Sequence, residues 1–424
     1  MIKRSVLVFT VLFAFISCSK KDDGSIIDPI AEGVLTINIK ESYKTDKTDN
    51  WLLIHDENGK LVDHKAFETG EKIIFKSPLL LDNKTTLTIA SFTKSPQYTY
   101  YKLRSLLLTN ISEEINLETP PELPSRDLTE TGNYKLNLTD LPWGASYEIT
   151  NSITFPFSPT TFTDQNSLTL KLNPRTYKNA DDCFIYAADN NVNPRYKLLT
   201  GIKPGDDLTV SYKNMAEFDK NIVVNFPETN LEDIYYMVVR VGDSEMPTVS
   251  NYFMAYKALN FGNVQPNRKS KITLGYLNSF SNYVTSFSIK IGSQTYYYSK
   301  DGTAPTKVEL PLKSKFELVD KSFKNFKFST TSSYTYRSSS FTYFDANNHL
   351  NTDWTISAPS GSLPKITDLP TEFKTLYPEI SIDNLVHQGS IITIDGANYN
   401  DAKNSLFSGK SVSKNRELHF VMVQ

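Results

Sequence analysis

The chain has 424 residues, with 45 lysines and arginines against 47 aspartates and glutamates, so its formal net charge is -2. This balance lacks the excess of basic residues that nucleic-acid binding needs, and we expect no nucleic-acid partner. The length suggests about two to four domains. The 24 tyrosines and 25 phenylalanines favour half-buried strands, so we expect an all-β protein.

The N-terminus has the pattern of an exported protein. Lys3 and Arg4 precede an apolar region over residues 6–16. That region is too short to cross the roughly 30 Å of hydrocarbon in a bilayer, so a removable signal fits better than an anchor helix. We expect residues 1–17 to be a signal peptide and Cys18 to be the first residue of the mature chain.

The residues that flank the cysteine resemble bacterial lipoprotein signals. A small residue, Ser17, precedes Cys18, as in the lipobox, where the cysteine sulfur carries a diacylglyceryl group. The acidic segment that follows resembles the export signal of Bacteroidetes surface lipoproteins, with Lys21, Asp22 and Asp23 in its positions. The resemblance implies lipidation, attachment to the outer membrane and a cell-surface location. An incidental cysteine and a plain polar tether are the alternatives.

Strand patterns follow a polar tether over residues 18–32, which is too poor in apolar residues to fold. Residues 51–67 contain two strand-like runs around Asn58 and Gly59, and Asn-Gly is a strong hairpin signal. Short β segments with frequent turns continue to the end of this region, which is the pattern of a sandwich. We therefore predict a first β-sandwich domain over residues 33–117.

A second unit echoes the first. The sequence of residues 85–117 is repeated in outline by residues 181–212. The spacing is about 95 to 99 residues, which is a usual size for one domain. The proline-rich, acidic segment 118–131 reads as an extended linker, because proline cannot donate to a sheet ladder. We predict a second β-sandwich domain over residues 132–227, a repeat of the first.

The remaining residues, 228–424, continue as a β-rich region that forms one or two domains. Its pattern includes many short strands and one short helix at residues 371–376, between prolines. The fold class is thus all-β, with tandem antiparallel β-sandwich domains after a lipoprotein signal peptide.

The sequence shows no familiar catalytic or metal-binding pattern. GxSxG and P-loop spacings are missing, and the histidines occur singly, at His55, His64, His349, His387 and His419. Cys183 alternates with apolar residues and is expected in a core, without a disulfide. We predict no catalytic residue, no metal ion and no cofactor. Two carboxylates of a hydrolase could still face each other across a sandwich without leaving a pattern in one sequence.

Tryptophans are the candidate ligand-binding side chains, because indole rings stack on sugars and anchor protein contacts. Trp143 lies in a Pro/Gly turn, "DLPWGAS", and is expected to be exposed. Trp51 and Trp354 each begin a strand-like run, where a place in the core is the alternative.

The lipobox, the acidic segment and tandem transthyretin-like or immunoglobulin-like sandwiches together resemble the surface lipoproteins of the Bacteroidetes. That class includes glycan-binding lipoproteins and fimbrial anchor or accessory subunits. The resemblance implies a non-enzymatic lipoprotein that binds a glycan or a protein ligand. A fimbrial or adhesin subunit, with an open sheet edge that pairs with a partner strand, is the alternative, and a surface hydrolase is a third. Coplanar exposed aromatic rings would favour glycan binding.

Overall fold

The computed structural model is 59% strand and 8% helix, which confirms the predicted all-β sandwich class. It describes residues 32–44, 49–81, 84–95, 97–109, 114–120, 129–142, 145–151, 161–163, 168–178, 180–189, 193–241, 252–257, 268–346, 349–409 and 416–424. None of the helices in these ranges has the length and hydrophobicity that a membrane crossing requires.

The strands of the first predicted domain are β1 (Gly33–Ile39), β2 (Asp49–His55), β3 (Leu61–Ala66), β4 (Lys72–Ser77), β5 (Thr85–Lys94), β6 (Thr99–Leu108) and β7 (Ile115–Leu117). Those that follow the linker are β8 (Glu130–Asn133), β9 (Lys135–Leu141), β10 (Ser146–Thr150), β11 (Thr161–Thr163), β12 (Leu168–Leu172), β13 (Arg175–Tyr177), β14 (Cys183–Asp189), β15 (Asn193–Leu199), β16 (Asp207–Ser211) and β17 (Ala216–Glu217).

The C-terminal strands are β18 (Lys220–Asn230), β19 (Ile234–Val241), β20 (Tyr252–Lys257), β21 (Arg268–Tyr276), β22 (Asn282–Ile291), β23 (Gln294–Gly302), β24 (Phe316–Asp320), β25 (Lys327–Thr330), β26 (Tyr336–Asp345), β27 (Leu350–Pro359), β28 (Val386–Asp395) and β29 (Glu417–Val423). Two helices, α1 (Phe373–Leu376) and α2 (Tyr399–Ser408), lie among them. The predicted short helix is present as α1, and β18 runs across the predicted boundary at residue 227.

Of the described strands, twelve form one continuous sheet that joins strands of the first predicted domain to those of the C-terminal region. Its order is β20-β19-β22-β23-β29-β28-β26-β27-β6-β5-β2-β3. The junction is the parallel pair of β27 and β6, which runs from Leu350 opposite Thr99 to Ser357 opposite Leu106. Segments far apart in sequence are therefore hydrogen-bonded neighbours, and the N-terminal strands form one end of this sheet.

The second layer of the first unit is the small sheet β4-β1-β7, in which β1 and β7 run parallel. Alternate residues of β1, such as Leu35 and Ile37, are fully buried against Leu87 and Leu106 of the large sheet. Helix α2 closes the same core through Phe407. The result is a sandwich, because each sheet hides one apolar face against the other.

The second unit has the same arrangement. Its first strand, β9, lies between an antiparallel strand, β12, and the parallel strand β16, and β11 extends this layer. The facing layer is β10-β14-β15-β17. Leu136 and Leu170 of one layer pack in a single core with Ile185 of the other, and Cys183 lies in that core.

The large sheet is covered on its other face near β2, β5 and β6 by the chain that leads through α1. Phe92 and Tyr101 of the sheet pack there with Phe373 and Tyr377 of the covering segment. Tyr377 follows α1 directly, so this packing brings it to the start of β2. The candidate site described next lies at this point.

Candidate ligand-binding site

A pocket of about 480 Å³ opens where β2 begins and β3 ends, a size within the roughly 300–1,000 Å³ of small-molecule sites. Its lining comes from the β2–β3 hairpin with the turn that follows it, and from residues 376 and 377, which are distant in sequence. The members that matter chemically are Asp49, Trp51, Glu68, Glu71, Leu376 and Tyr377. With Phe67, which also lines it, the pocket combines three aromatic residues with three carboxylates.

Trp51 is held in place on several sides. Its indole N–H donates to the hydroxyl of Tyr377 at 3.0 Å. Its ring lies roughly parallel to the His64 imidazole, with centroids 6.0 Å apart, and nearly perpendicular to the Phe373 ring, with centroids 5.2 Å apart. His64 is fixed in turn by a hydrogen bond with Glu372. The indole is half-buried and needs little reordering to receive a ligand.

Tyr377 passes the contact on to Asp49. The Tyr377 hydroxyl donates to Oδ2 of Asp49 at 3.0 Å, while its ring packs on Phe92 at 3.9 Å. Burial, with the hydrogen bond to Asp49 acting in the same direction, raises the pKa of Tyr377 to about 12. The phenol therefore remains a neutral donor across the physiological range and keeps Asp49 aligned.

The carboxylates occupy the solvent side of the pocket. Asp49, Glu68 and Glu71 are all exposed. One carboxylate oxygen of Glu71 accepts the backbone N–H of Glu68 at 3.0 Å, which fixes the turn after β3. Within the described lining there are three carboxylates and no lysine or arginine. Such a site offers a flat apolar surface beside strong hydrogen-bond acceptors.

A second aromatic surface lies on the open face of the large sheet. Tyr235, Ser288, Tyr297 and Phe420 stand opposite one another on β19, β22, β23 and β29. The rings of Tyr297 and Phe420 are stacked, with centroids 4.6 Å apart and planes 9° from parallel. Tyr235 is 40% exposed. The Tyr297 and Phe420 rings are parallel and each lies against a face of the other, so they do not form the coplanar exposed surface that would favour glycan binding.

The predicted site residues have different positions. Trp51 lies at the pocket, as described. Trp354 is fully buried, and its indole N–H donates to Ser105 Oγ at 2.8 Å, so it is a core residue and offers no stacking surface. Trp143 lies outside the described residues, as do the predicted lipidation site and export segment, Cys18, Lys21, Asp22 and Asp23. The predictions for those positions stay predictions.

Two described groups that could act in nucleophilic chemistry, Cys183 and the His387–Ser390 pair, are enclosed. Burial raises the pKa of Cys183 to about 12, which makes its thiol inert. His387 Nε2 lies 2.8 Å from Ser390 Oγ, and that hydroxyl bonds to Ser339, but the group is buried from any substrate. Across the described ranges no cluster of three or more histidine, cysteine, aspartate or glutamate side chains is arranged to hold a metal ion.

Sequence reasoning identified Trp51 but missed the residues that complete the pocket. Tyr377 is 326 positions from Trp51, and no local pattern connects them. Glu68 and Glu71 lie in an ordinary polar turn. The Asn-Gly hairpin signal did place Trp51 at the start of a strand, and this is the local signal that pointed towards the site. No protein-family model matches the chain, and neither does any curated protein.

Proposed function

We propose that the protein is a non-enzymatic outer-membrane surface lipoprotein, anchored through Cys18, that binds a glycan in the Trp51 pocket. The observation that carries the proposal is the fixed Trp51 indole beside exposed carboxylates.

The chemistry of the pocket suits a sugar ring. Indole offers an apolar face for the C–H groups of a pyranose, and it contributes without losing many rotamers on binding. Asp49 and Glu68 present oxygens that accept hydrogen bonds from hydroxyl groups, and charge-assisted bonds of this kind are the stronger ones. Sugars and these side chains are both well hydrated, so the loss of bound water offsets much of the gain from their hydrogen bonds. The affinity therefore depends on how well the pocket is ordered before the ligand binds.

The proposed membrane attachment rests on the N-terminal sequence. Residues 18–31 separate the predicted lipid from the first described residue, and a chain of that length reaches at most about 50 Å. Several acyl chains on one cysteine would make attachment stable rather than transient.

A glycan array tests the proposal. The mature chain carrying Cys18→Ala, labelled for detection, is applied beside two further variants. Trp51→Leu removes the stacking surface and should abolish the signal for the bound glycan class. Phe344→Ala removes an aromatic ring that is 68% exposed elsewhere on the surface, and should leave the signal unchanged.

Two results would contradict the proposal. Absence of any glycan signal would move the assignment to a protein ligand. Release of a shortened glycan by the wild-type chain, lost in Asp49→Asn, would identify a hydrolase, since the three carboxylates share one pocket.

A further inference from the structure

We infer that the Trp51 pocket selects glycans that carry a positively charged ammonium group, such as sugars with a free amine. This inference rests on the proposed function and deepens it by naming the ligand class. It is based on the negative charge of the pocket lining and on the hydrogen-bond partners of the carboxylates and of the nearby lysines.

The described lining of the pocket carries charge of one sign. In the described lining, Asp49, Glu68 and Glu71 are negative and no side chain is positive. A concave site lined by one sign of charge concentrates its field on whatever enters it. The potential of the pocket therefore favours a cation over a neutral or acidic sugar.

These carboxylates have oxygens that accept no hydrogen bond from the described residues. Asp49 uses Oδ2 for Tyr377, and Glu71 uses Oε2 for the backbone of Glu68. Among the described residues, the other oxygens of these two groups and the Glu68 carboxylate meet no hydrogen-bond donor or cation. An ammonium group has three donors and could engage several of them at once.

The lysines near the pocket interact with other groups. Lys72 pairs with Glu114 at 3.0 Å, and Lys65 donates to the Ile74 carbonyl at 2.7 Å. Lys94 donates to the carbonyl of the lining residue Leu376 at 2.6 Å, and its ammonium lies 5.1 Å from the centroid of the Tyr377 ring. Even with Lys94 included, the rim retains a net negative charge.

The indole of Trp51 forms an aromatic wall of the pocket. Indole is the aromatic ring that attracts cations most strongly, through its negative π face. Trp51 is held by the hydrogen bond to Tyr377 and by ring contacts with Phe373 and His64, so its position does not depend on the ligand. The Lys94 ammonium over the Tyr377 ring is an intramolecular example of the same contact at the same pocket.

Calorimetric titration with a matched set of sugars tests the inference. The mature chain carrying Cys18→Ala is titrated with the β-1,4-linked tetramer of glucosamine, its fully N-acetylated counterpart, cellotetraose and tetralysine, in mildly acidic buffer at low and high salt. The glucosamine tetramer should bind about tenfold or more tightly than the two neutral tetramers. High salt should weaken that binding selectively, because it screens exposed charges.

Two carboxylate variants locate the effect. Glu68→Gln and Asp49→Asn keep the size of the side chain and should each weaken binding of the glucosamine tetramer several-fold. Glu317→Gln, at an exposed position of β24 away from the pocket, is the matched control and should bind like the wild type.

The outcomes separate this inference from the proposed function. Equal binding of the charged and neutral tetramers would overturn the ammonium inference and leave glycan binding in place. Tetralysine that binds as tightly as the glucosamine tetramer would overturn the assignment to a sugar. Binding of no oligosaccharide, with none on the array, would overturn both.

Discussion

The indole N–H of Trp51 and the hydroxyl of Tyr377 form a 3.0 Å hydrogen bond between residues 326 positions apart. The bond connects β2 to the segment after α1, and the Tyr377 hydroxyl in turn donates to Asp49. The pocket therefore exists only when the N-terminal and C-terminal parts of the chain have folded against each other. A site of this kind links ligand binding to the integrity of the large sheet.

Removal of the Tyr377 hydroxyl should loosen this connection. Tyr377→Phe keeps the ring in its place but takes away the acceptor of Trp51 and the donor to Asp49. We expect the free energy of unfolding to fall by about 1–2 kcal/mol, as for the loss of one or two hydrogen bonds. Urea unfolding measures this change. Tyr98→Phe, at a ring that is 51% exposed, is the control, and an equal loss in both variants would contradict the role of Tyr377.

Truncation of Trp354 should be far more damaging. The side chain is fully buried, packs on Phe323 with centroids 4.8 Å apart and bonds to Ser105. Trp354→Ala leaves a large cavity and should lower the free energy of unfolding by about 3–5 kcal/mol. Phe344→Ala on the neighbouring strand should change it by less than about 0.5 kcal/mol. Similar values for the two variants would show that Trp354 is not a core residue.

The stability of the protein should fall in mild acid because of His387. Burial, together with the positive charges of Lys321 and Arg337, lowers the pKa of His387 from 6.5 to about 4. The unfolded chain therefore binds this proton first, and the contribution to stability is complete above pH 6.5 and is lost as the pH falls towards 4. The loss amounts to roughly 3 kcal/mol at most.

Unfolding titrations at several pH values check this prediction. His387→Gln removes the titrating group, so its free energy of unfolding should depend less on pH across that window than the wild type does. Parallel profiles for the two proteins would mean that His387 is protonated equally in the folded and unfolded states.

Anchoring should depend on Cys18. Cys18→Ala removes the sulfur that the lipid would occupy, so metabolic labelling with fatty acid and retention in the membrane fraction should both disappear. Persistence of both would show that the lipobox interpretation is wrong.

The segment after the cysteine has its own test. Replacement of Lys21, Asp22 and Asp23 with alanine should leave the protein in the membrane but protect it from protease added to intact cells. Unchanged protease sensitivity would reduce the segment to a polar tether.

Local patterns in the sequence predicted the local structure well. The runs on either side of Asn58 and Gly59 form β2 and β3, and Gly59 has the positive φ of 86° that such a turn favours. Helix α2 was missed, although its signals are present. Asn398 and Asp401 form a capping box, and Gly409 ends the helix with a φ of 62°.

The long-range arrangement was not predictable in the same way. The parallel contact of β27 with β6 joins strands about 250 residues apart, and nothing in either strand specifies the other. Trp51 and Trp354 illustrate the consequence, since both begin strand-like runs in sequence. One borders a pocket because β2 lies near a sheet end, while the other is buried because β27 lies in the middle of the sheet.

Hydrogen–deuterium exchange tests the central claim most directly. The mature chain is compared with and without the glycan that gives the strongest array signal. We predict slower exchange at the start of β2, in the turn from residue 66 to 71 and at residues 376 and 377, which together form the pocket. Protection confined to β23 and β29, around Tyr297 and Phe420, or no protection anywhere, would contradict the assignment of the Trp51 pocket as the glycan site.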